Sequence, residues 1–332
     1  MSAAPHPAAA SGIERDNARF QADEHPLIGE TRPTSIAEHA IRLMHLRAYA
    51  EAAGHARGGD VLDVGCNTGY GTVGFVPVAR RVVGIDVSPA AIEEARRRSS
   101  AGRPEFLVTT GVELPFPDES FDLVTSFQVV EHLVDPLAFL AELRRVLRPG
   151  GVVVLATPNA AIRLDPGMTP WNRFHVREYR AAELAELLAA AFGDVRVRGL
   201  FAVPTLYEAE LARAAAALAW ARRRDARPAR AAAPAPRAAS SLPRRLGRRV
   251  IPRAARTMVR GLLHRSLGIR TDAGPDDRPD VEPATSGRGR GAIASDDEDR
   301  LGRFLELTVD DLFYADHDLD RALDLLAVCR PS

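Results

Sequence analysis

Residues Asp60 to Gly71 read DVLDVGCNTGYG, an apolar strand-forming run that breaks at once into Gly65-Cys66-Asn67-Thr68-Gly69-Tyr70-Gly71. No other stretch restricts the fold as tightly. Glycine reaches positive φ without steric cost and lets backbone amides approach a ligand, and asparagine is among the few other residues that tolerate the left-handed region. A strand followed by such a turn, leading toward a helix, places a nucleotide-like ligand at the strand's carboxyl end. The dehydrogenase spacing G-x-G-x-x-G is absent, because position 67 is Asn67 and the glycines fall at 65, 69 and 71. Asp86 closes the next apolar run 23 residues after Asp63, a separation that suits a carboxylate gripping ribose hydroxyls.

The rest of the chain repeats this alternation. Short apolar runs at Val61 to Val64, Val82 to Ile85, Phe106 to Val108, Phe121 to Phe127 and Val152 to Ala156 are interleaved with helical patterns at Pro89 to Arg98, Pro136 to Leu147 and Ala181 to Phe192. Ser35-Ile36-Ala37-Glu38 has capping-box spacing and opens a helix expected to reach about Ala53. Runs that are mostly apolar, not alternating, belong to strands covered by helices on both faces, and the β-α-β order requires right-handed crossovers. The expectation is an α/β fold, a doubly wound Rossmann-like sheet. Val195 to Phe201 and Leu323 to Val328 supply two further strands, with 121 residues between them.

Of the 332 residues, 46% are hydrophobic and 27% charged, which excludes wholesale disorder, collagen and coiled coil. The 44 basic residues, all Arg, balance 44 acidic ones, but the balance is not local. Ala221 to Arg270 carries +14 and Thr271 to Ser332 carries −9. Within the basic block, Leu242 to Arg270 mixes Arg with Leu, Val, Ile and Met in an amphipathic pattern; it suits an anionic lipid surface or a phosphate-bearing acceptor, or else is a solvated linker paired with the acidic tail. Nucleic acid is not the expected partner. Cys66 and Cys329 have no metal-type spacing, and no segment reads as a secretion signal or membrane span, so a cytoplasmic chain, with peripheral membrane contact at most, is expected.

Taken in order, these motifs resemble the class I S-adenosylmethionine-dependent methyltransferases, whose first motif reads D-x-G-x-G-x-G and whose second strand ends in an acid. The resemblance extends through Val112-Glu113-Leu114-Pro115-Phe116-Pro117-Asp118-Glu119-Ser120-Phe121-Asp122, Glu131-His132 and Arg148-Pro149-Gly150-Gly151, covering roughly residues 55 to 203 and the last strand. It departs from the family where Asn67 replaces the middle glycine and Thr110 replaces an acid before the adenine contact. The resemblance implies seven strands, the first six parallel and the seventh antiparallel. Its domains would be an N-terminal arm (1–34), a core (35–203), an insertion (204–318) that forms a lid or acceptor platform, and a final strand (319–332). It implies S-adenosylmethionine as methyl donor, held around Asp63, Gly65, Cys66, Asn67, Gly69, Asp86, Val87, Gly111, Val112 and Gln128.

Methyl transfer to an alcohol needs a positioned nucleophile and a destination for its proton. His132, after the fourth strand, is the first candidate base; the alternative is that Glu131 and His132 only shape the pocket. In ubiquinone-type O-methyltransferases E-x-x-E-H is associated with a divalent metal, but here the first acid is Gln128, so no metal is expected. Trp171 to Tyr179 resembles the N-x-x-H-V-x-E-Y segment of sugar and glycan methyltransferases, which makes His175 a second base, a substrate donor or an anchor for its own loop. The expected acceptor is a sugar or glycan-linked metabolite. The alternatives are a quinone, polyketide or lipid-like acceptor, and a non-catalytic module that only binds the cofactor.

Overall fold

The computed structural model describes residues 33, 35–99, 103–109, 113–225 and 301–331. The basic segment 242–270 and nearly all of the N-terminal arm lie outside them. Eight strands form one sheet: β1 (Asp60–Val64), β2 (Arg81–Asp86), β3 (Glu105–Val108), β4 (Phe121–Phe127), β5 (Leu147–Pro158), β6 (Asp194–Ala202), β7 (Leu312–Ala315) and β8 (Asp324–Arg330). Their order is β3-β2-β1-β4-β5-β8-β6-β7. Strands β1 to β5 pair in parallel, and β8 runs antiparallel between β5 and β6, as expected for the final strand. β7 is an additional eighth strand, antiparallel to β6 at the sheet edge.

Six helices accompany the sheet among the described residues: α1 (Ile36–Ala53), α2 (Pro89–Arg98), α3 (Pro136–Val146), the single turn α4 (Ala160–Arg163), α5 (Ala181–Ala189) and α6 (Pro204–Asp225). The Ser35 hydroxyl accepts from the Glu38 amide and caps α1, as the sequence spacing predicts. Ser88 and Asp135 cap α2 and α3 in the same way, each with proline in the first turn.

Along each central strand successive side chains enter opposite faces, and both faces are apolar. Val152 and Val154 of β5 join a cluster with Leu43 and Met44 of α1 and Leu206 of α6. Val153 and Leu155 join Leu140 and Leu143 of α3 and Leu184 and Leu188 of α5 on the other face. Truncating one of these fully buried leucines to alanine costs about 2–5 kcal/mol. Helices on both faces leave the carboxyl ends of the parallel strands as the open edge, where ligands bind in this architecture.

α6 and β7 change the expected organisation. The stretch between the sixth and last strands does not simply leave the core: Leu206, Ala214, Phe304, Leu312 and Tyr314 are all buried. Among the described residues no helix is long and apolar enough to cross a membrane.

Candidate functional site

Past β1 the backbone turns through Gly65 (φ 82°), Asn67 (φ 49°) and Gly69 (φ 72°). The amides of Gly65 and Cys66 both donate to the Ile85 carbonyl, at 2.8 and 3.0 Å, which ties the loop to the end of β2. A Cβ on Gly65 would stand 2.4 Å from Val129 Cγ2, and one on Gly69 would stand 2.4 Å from the Phe106 ring. Glycine at these two positions is therefore required by space as well as by φ. Asn67 occupies the third left-handed position and steadies it, its Oδ1 accepting from the Thr68 amide at 2.9 Å. The helix expected after the loop is a single 3-10 turn, Thr72–Phe75.

Asp86, half-buried at the end of β2, accepts the Asn67 amide on Oδ2 at 2.8 Å and the Ser88 amide on Oδ1 at 2.9 Å. Its carboxylate thus joins the glycine loop to the start of α2, with Val87 beside it on the same edge. Asp63 lies below the loop and is fully buried. Tyr49 and Thr72 donate hydroxyls to its Oδ2, and Thr125 donates to its Oδ1. Burial pushes this carboxyl up to about 6, against the three hydroxyls that pull it down. Asp63 thus braces the loop from below. The Cys66 side chain is buried among Ile92, Ala95 and Phe106. Gly111 and Val112 lie outside the described residues.

The other half of the edge is made of side chains. Gln128, directly after β4, has φ 57° and donates from Nε2 to Asp324 Oδ2 at 2.9 Å. The 3-10 turn Val130–His132 follows. His132 Nδ1 lies 2.9 Å from the Phe174 carbonyl, which only accepts, so Nδ1 donates this bond. Glu131 is wholly buried, accepts the Thr157 hydroxyl on Oε2, and leaves Oε1 without a hydrogen bond, 4.0 Å from His132 Nε2. Burial raises the Glu131 carboxyl, with His175 opposing.

His175 packs edge-on against His132, ring centroids 4.8 Å apart. Its Nδ1 donates to Glu178 Oε1 at 2.7 Å, and its Nε2 accepts from the Asn172 amide at 2.9 Å. Glu178 also takes two hydrogen bonds from Arg163, whose guanidinium lies over the Trp171 ring. Burial acts to raise the Glu178 carboxyl, but the His175 hydrogen bond and the Arg163 charge outweigh it and hold the group at about 2. His132 and His175 are thus brought together. Arg163, Glu178 and Asp324 were not singled out in the sequence. Glu178 stood inside the quoted segment, and Asp324 opens an apolar run, but Arg163 gave no local signal.

Glu131, His132 and His175 bring one carboxylate oxygen and two ring nitrogens within 4.8 Å of one another. A metal of the ubiquinone-enzyme type does not fit this set well. Gln128 stands where the first acid would be and is committed to Asp324, and both nitrogens of His175 are spent on Glu178 and Asn172.

A methyltransferase domain model matches residues 62–155, the segment from β1 to β5. A probable S-adenosylmethionine-dependent methyltransferase of Mycolicibacterium smegmatis is 44% identical over 174 residues, covering 51% of this chain and 66% of that one. A protein of the same description from Mycobacterium tuberculosis is 40% identical over 189 residues, covering 53% of this chain and 68% of that one. The chain belongs to the class I S-adenosylmethionine-dependent methyltransferases. It spans about two thirds of the length of these relatives. A demethylmenaquinone methyltransferase of Tropheryma whipplei is 33% identical over 144 residues, covering 43% of this chain and 59% of that one. S-adenosylmethionine is accordingly the donor.

Proposed function

We propose that the protein transfers a methyl group from S-adenosylmethionine to a hydroxyl of a sugar or glycan-linked metabolite. The observation that carries this reading is the pairing of His132 with the His175–Glu178–Arg163 network beside the glycine loop. Bound at that loop, the sulfonium supplies an activated methyl group, released as the C–S electron pair returns to sulfur. Asp86 holds the ribose hydroxyls, and the backbone of Gly65 to Gly69 lies along the donor. His132 Nε2 takes the proton from the acceptor hydroxyl as its oxygen forms the new bond to carbon. The imidazolium so formed is stabilised by Glu131, whose Oε1 is 4.0 Å away. His175, locked by Glu178 and Asn172, positions the His132 ring from its edge.

A second reading, methylation of a quinone or lipid-like acceptor, is favoured by the demethylmenaquinone relative. One experiment separates the two. Labelled methyl from S-adenosylmethionine is offered to extract of the source cells, which is then partitioned between water and organic solvent, with Asp86→Ala as control. Label in an aqueous, glycosidase-sensitive fraction supports the glycan acceptor. Label in the organic phase supports the second reading, and no Asp86-dependent label at all leaves a non-catalytic binding module.

A further inference from the structure

The donor loop has little left to give a charged ligand. Each amide from Gly65 to Gly69 already has an acceptor inside the protein: Gly65 and Cys66 donate to the Ile85 carbonyl, Gly69 to the Cys66 carbonyl, Asn67 to Asp86 and Thr68 to Asn67 Oδ1. This part of the chain carries no cation either, since positions 61–79 contain no Arg, Lys or His. S-adenosylmethionine ends in an amino acid. Its α-carboxylate, once drawn out of water against the protein, needs hydrogen-bond donors, and charged donors serve it best.

Helix α1 brings such groups to the loop. Ala40, Leu43, Met44, Ala48 and Ala52 sink into the core and set the helix against the sheet. Tyr49 packs edge-on against Tyr70 and Phe127, ring centroids 6.1 and 4.8 Å away, and a Cβ on Gly71 would collide with its ring. One turn earlier, His45 Nδ1 lies 2.7 Å from the hydroxyl of Tyr70, which stands between Gly69 and Gly71 in the loop itself. Arg42 precedes His45 by three positions, so the two side chains are neighbours on one face of α1, and both are half-buried. Burial pushes the Tyr70 phenol well above its ordinary value, Asp63 adds to the shift, and Arg42 is close enough to pull against it. The phenol therefore keeps its proton and remains a hydrogen-bond donor.

We propose that Arg42, His45 and Tyr70 form the receptor for the donor's α-carboxylate: Arg42 pairs with it, the Tyr70 hydroxyl donates a hydrogen bond to it, and His45 fixes Tyr70 by donating from Nδ1 to the phenol oxygen. The inference rests on the donor lying along Gly65 to Gly69, as proposed above, and assigns residues to its amino-acid end. A guanidinium suits the task because two of its N–H groups meet both oxygens of a carboxylate at once. If His45 and Tyr70 only brace α1 against the loop, a donor analogue without the carboxylate behaves differently.

The test titrates the full chain by calorimetry with S-adenosylhomocysteine and with S-adenosyl-3-thiopropylamine, the same molecule without its carboxylate. The expected result is that the wild type binds the carboxylate-free analogue about tenfold or more weakly, the loss of one charge-assisted pair. Arg42→Gln should weaken S-adenosylhomocysteine by a similar factor while holding the analogue within about twofold, so that the preference disappears. Tyr70→Phe should reduce the preference in part, and Arg42→Lys should keep more of it than Arg42→Gln. Melting curves show which variants fold, and Tyr70→Phe decides if Arg42→Gln does not. Equal affinity of the wild type for the two ligands, or a preference that folded Arg42→Gln and Tyr70→Phe both retain, overturns the proposal. Equal weakening of both ligands by a variant also overturns it and leaves bracing as the role of these side chains. A wild type that does not bind S-adenosylhomocysteine would instead count against the donor placement itself.

Discussion

The two halves of the carboxyl edge are built from different materials. On the donor side, Gly65, Asn67 and Gly69 shape the site with backbone alone, and the half-buried carboxylate of Asp86 is fixed by the amides of Asn67 and Ser88. On the acceptor side the work is done by side chains from distant parts of the chain: Gln128 with Asp324, His132 with the Phe174 carbonyl, Arg163 with Glu178. A site made of backbone tolerates only changes that respect φ and space. A site made of side chains can be retuned one residue at a time, which is how one fold comes to serve many acceptors.

The largest expected effect tests whether the halves are separable. His132→Ala should lower kcat by about 10²–10⁴-fold, the usual contribution of a general base, while leaving affinity for S-adenosylhomocysteine unchanged in calorimetry. A parallel loss of donor affinity would join the halves and break the comparison. Asp86→Ala should do the reverse. Two charge-assisted hydrogen bonds at ~1.5–3 kcal/mol each weaken donor binding by about a hundredfold or more, with the circular dichroism spectrum intact.

How legible each half was follows from the same contrast. The donor loop and strands β1 to β5 are local: a buried run, a turn, a cap, each within a dozen residues, so periodicity and glycine spacing suffice. α6 was invisible because its buried positions Leu206, Glu210, Ala214, Ala217 and Ala221 keep helical spacing but consist mostly of alanine and one acid, which leaves little hydrophobic contrast. β7 has four residues, of which only Leu312 and Tyr314 face the core, and the pattern before it reads as one ordered stretch from Leu301 to Phe313. Asp324 meets Gln128 across 196 positions, a pairing no local period can carry. Asp63 and Cys66 lie in the same local motif, and both side chains are buried.

Glu178 sharpens the comparison through stability. Its carboxyl is held at about 2 instead of the ordinary 4.5, so the folded state favours the charged form. That contribution is fully present above pH 4.5 and is lost as the pH falls toward the folded value. Glu178→Gln should therefore cost about 3 kcal/mol at neutral pH, with the deficit closing on acidification, as read from chemical denaturation of both proteins across that range. A deficit independent of pH would mean that packing, not charge, holds the His175 network.

The smallest effect falls on the donor side. Asn67→Gly keeps the left-handed turn while removing the side chain that accepts the Thr68 amide, so donor affinity should change by less than about threefold. A larger loss would show that the Asn67 side chain itself contacts the donor.

The account stands or falls most directly on titration of S-adenosylhomocysteine into the wild type, Asp86→Ala and His132→Ala by calorimetry. It predicts saturable one-to-one binding to the wild type and His132→Ala alike, and none measurable to Asp86→Ala. Equal binding to Asp86→Ala, or no binding to the wild type, would contradict it.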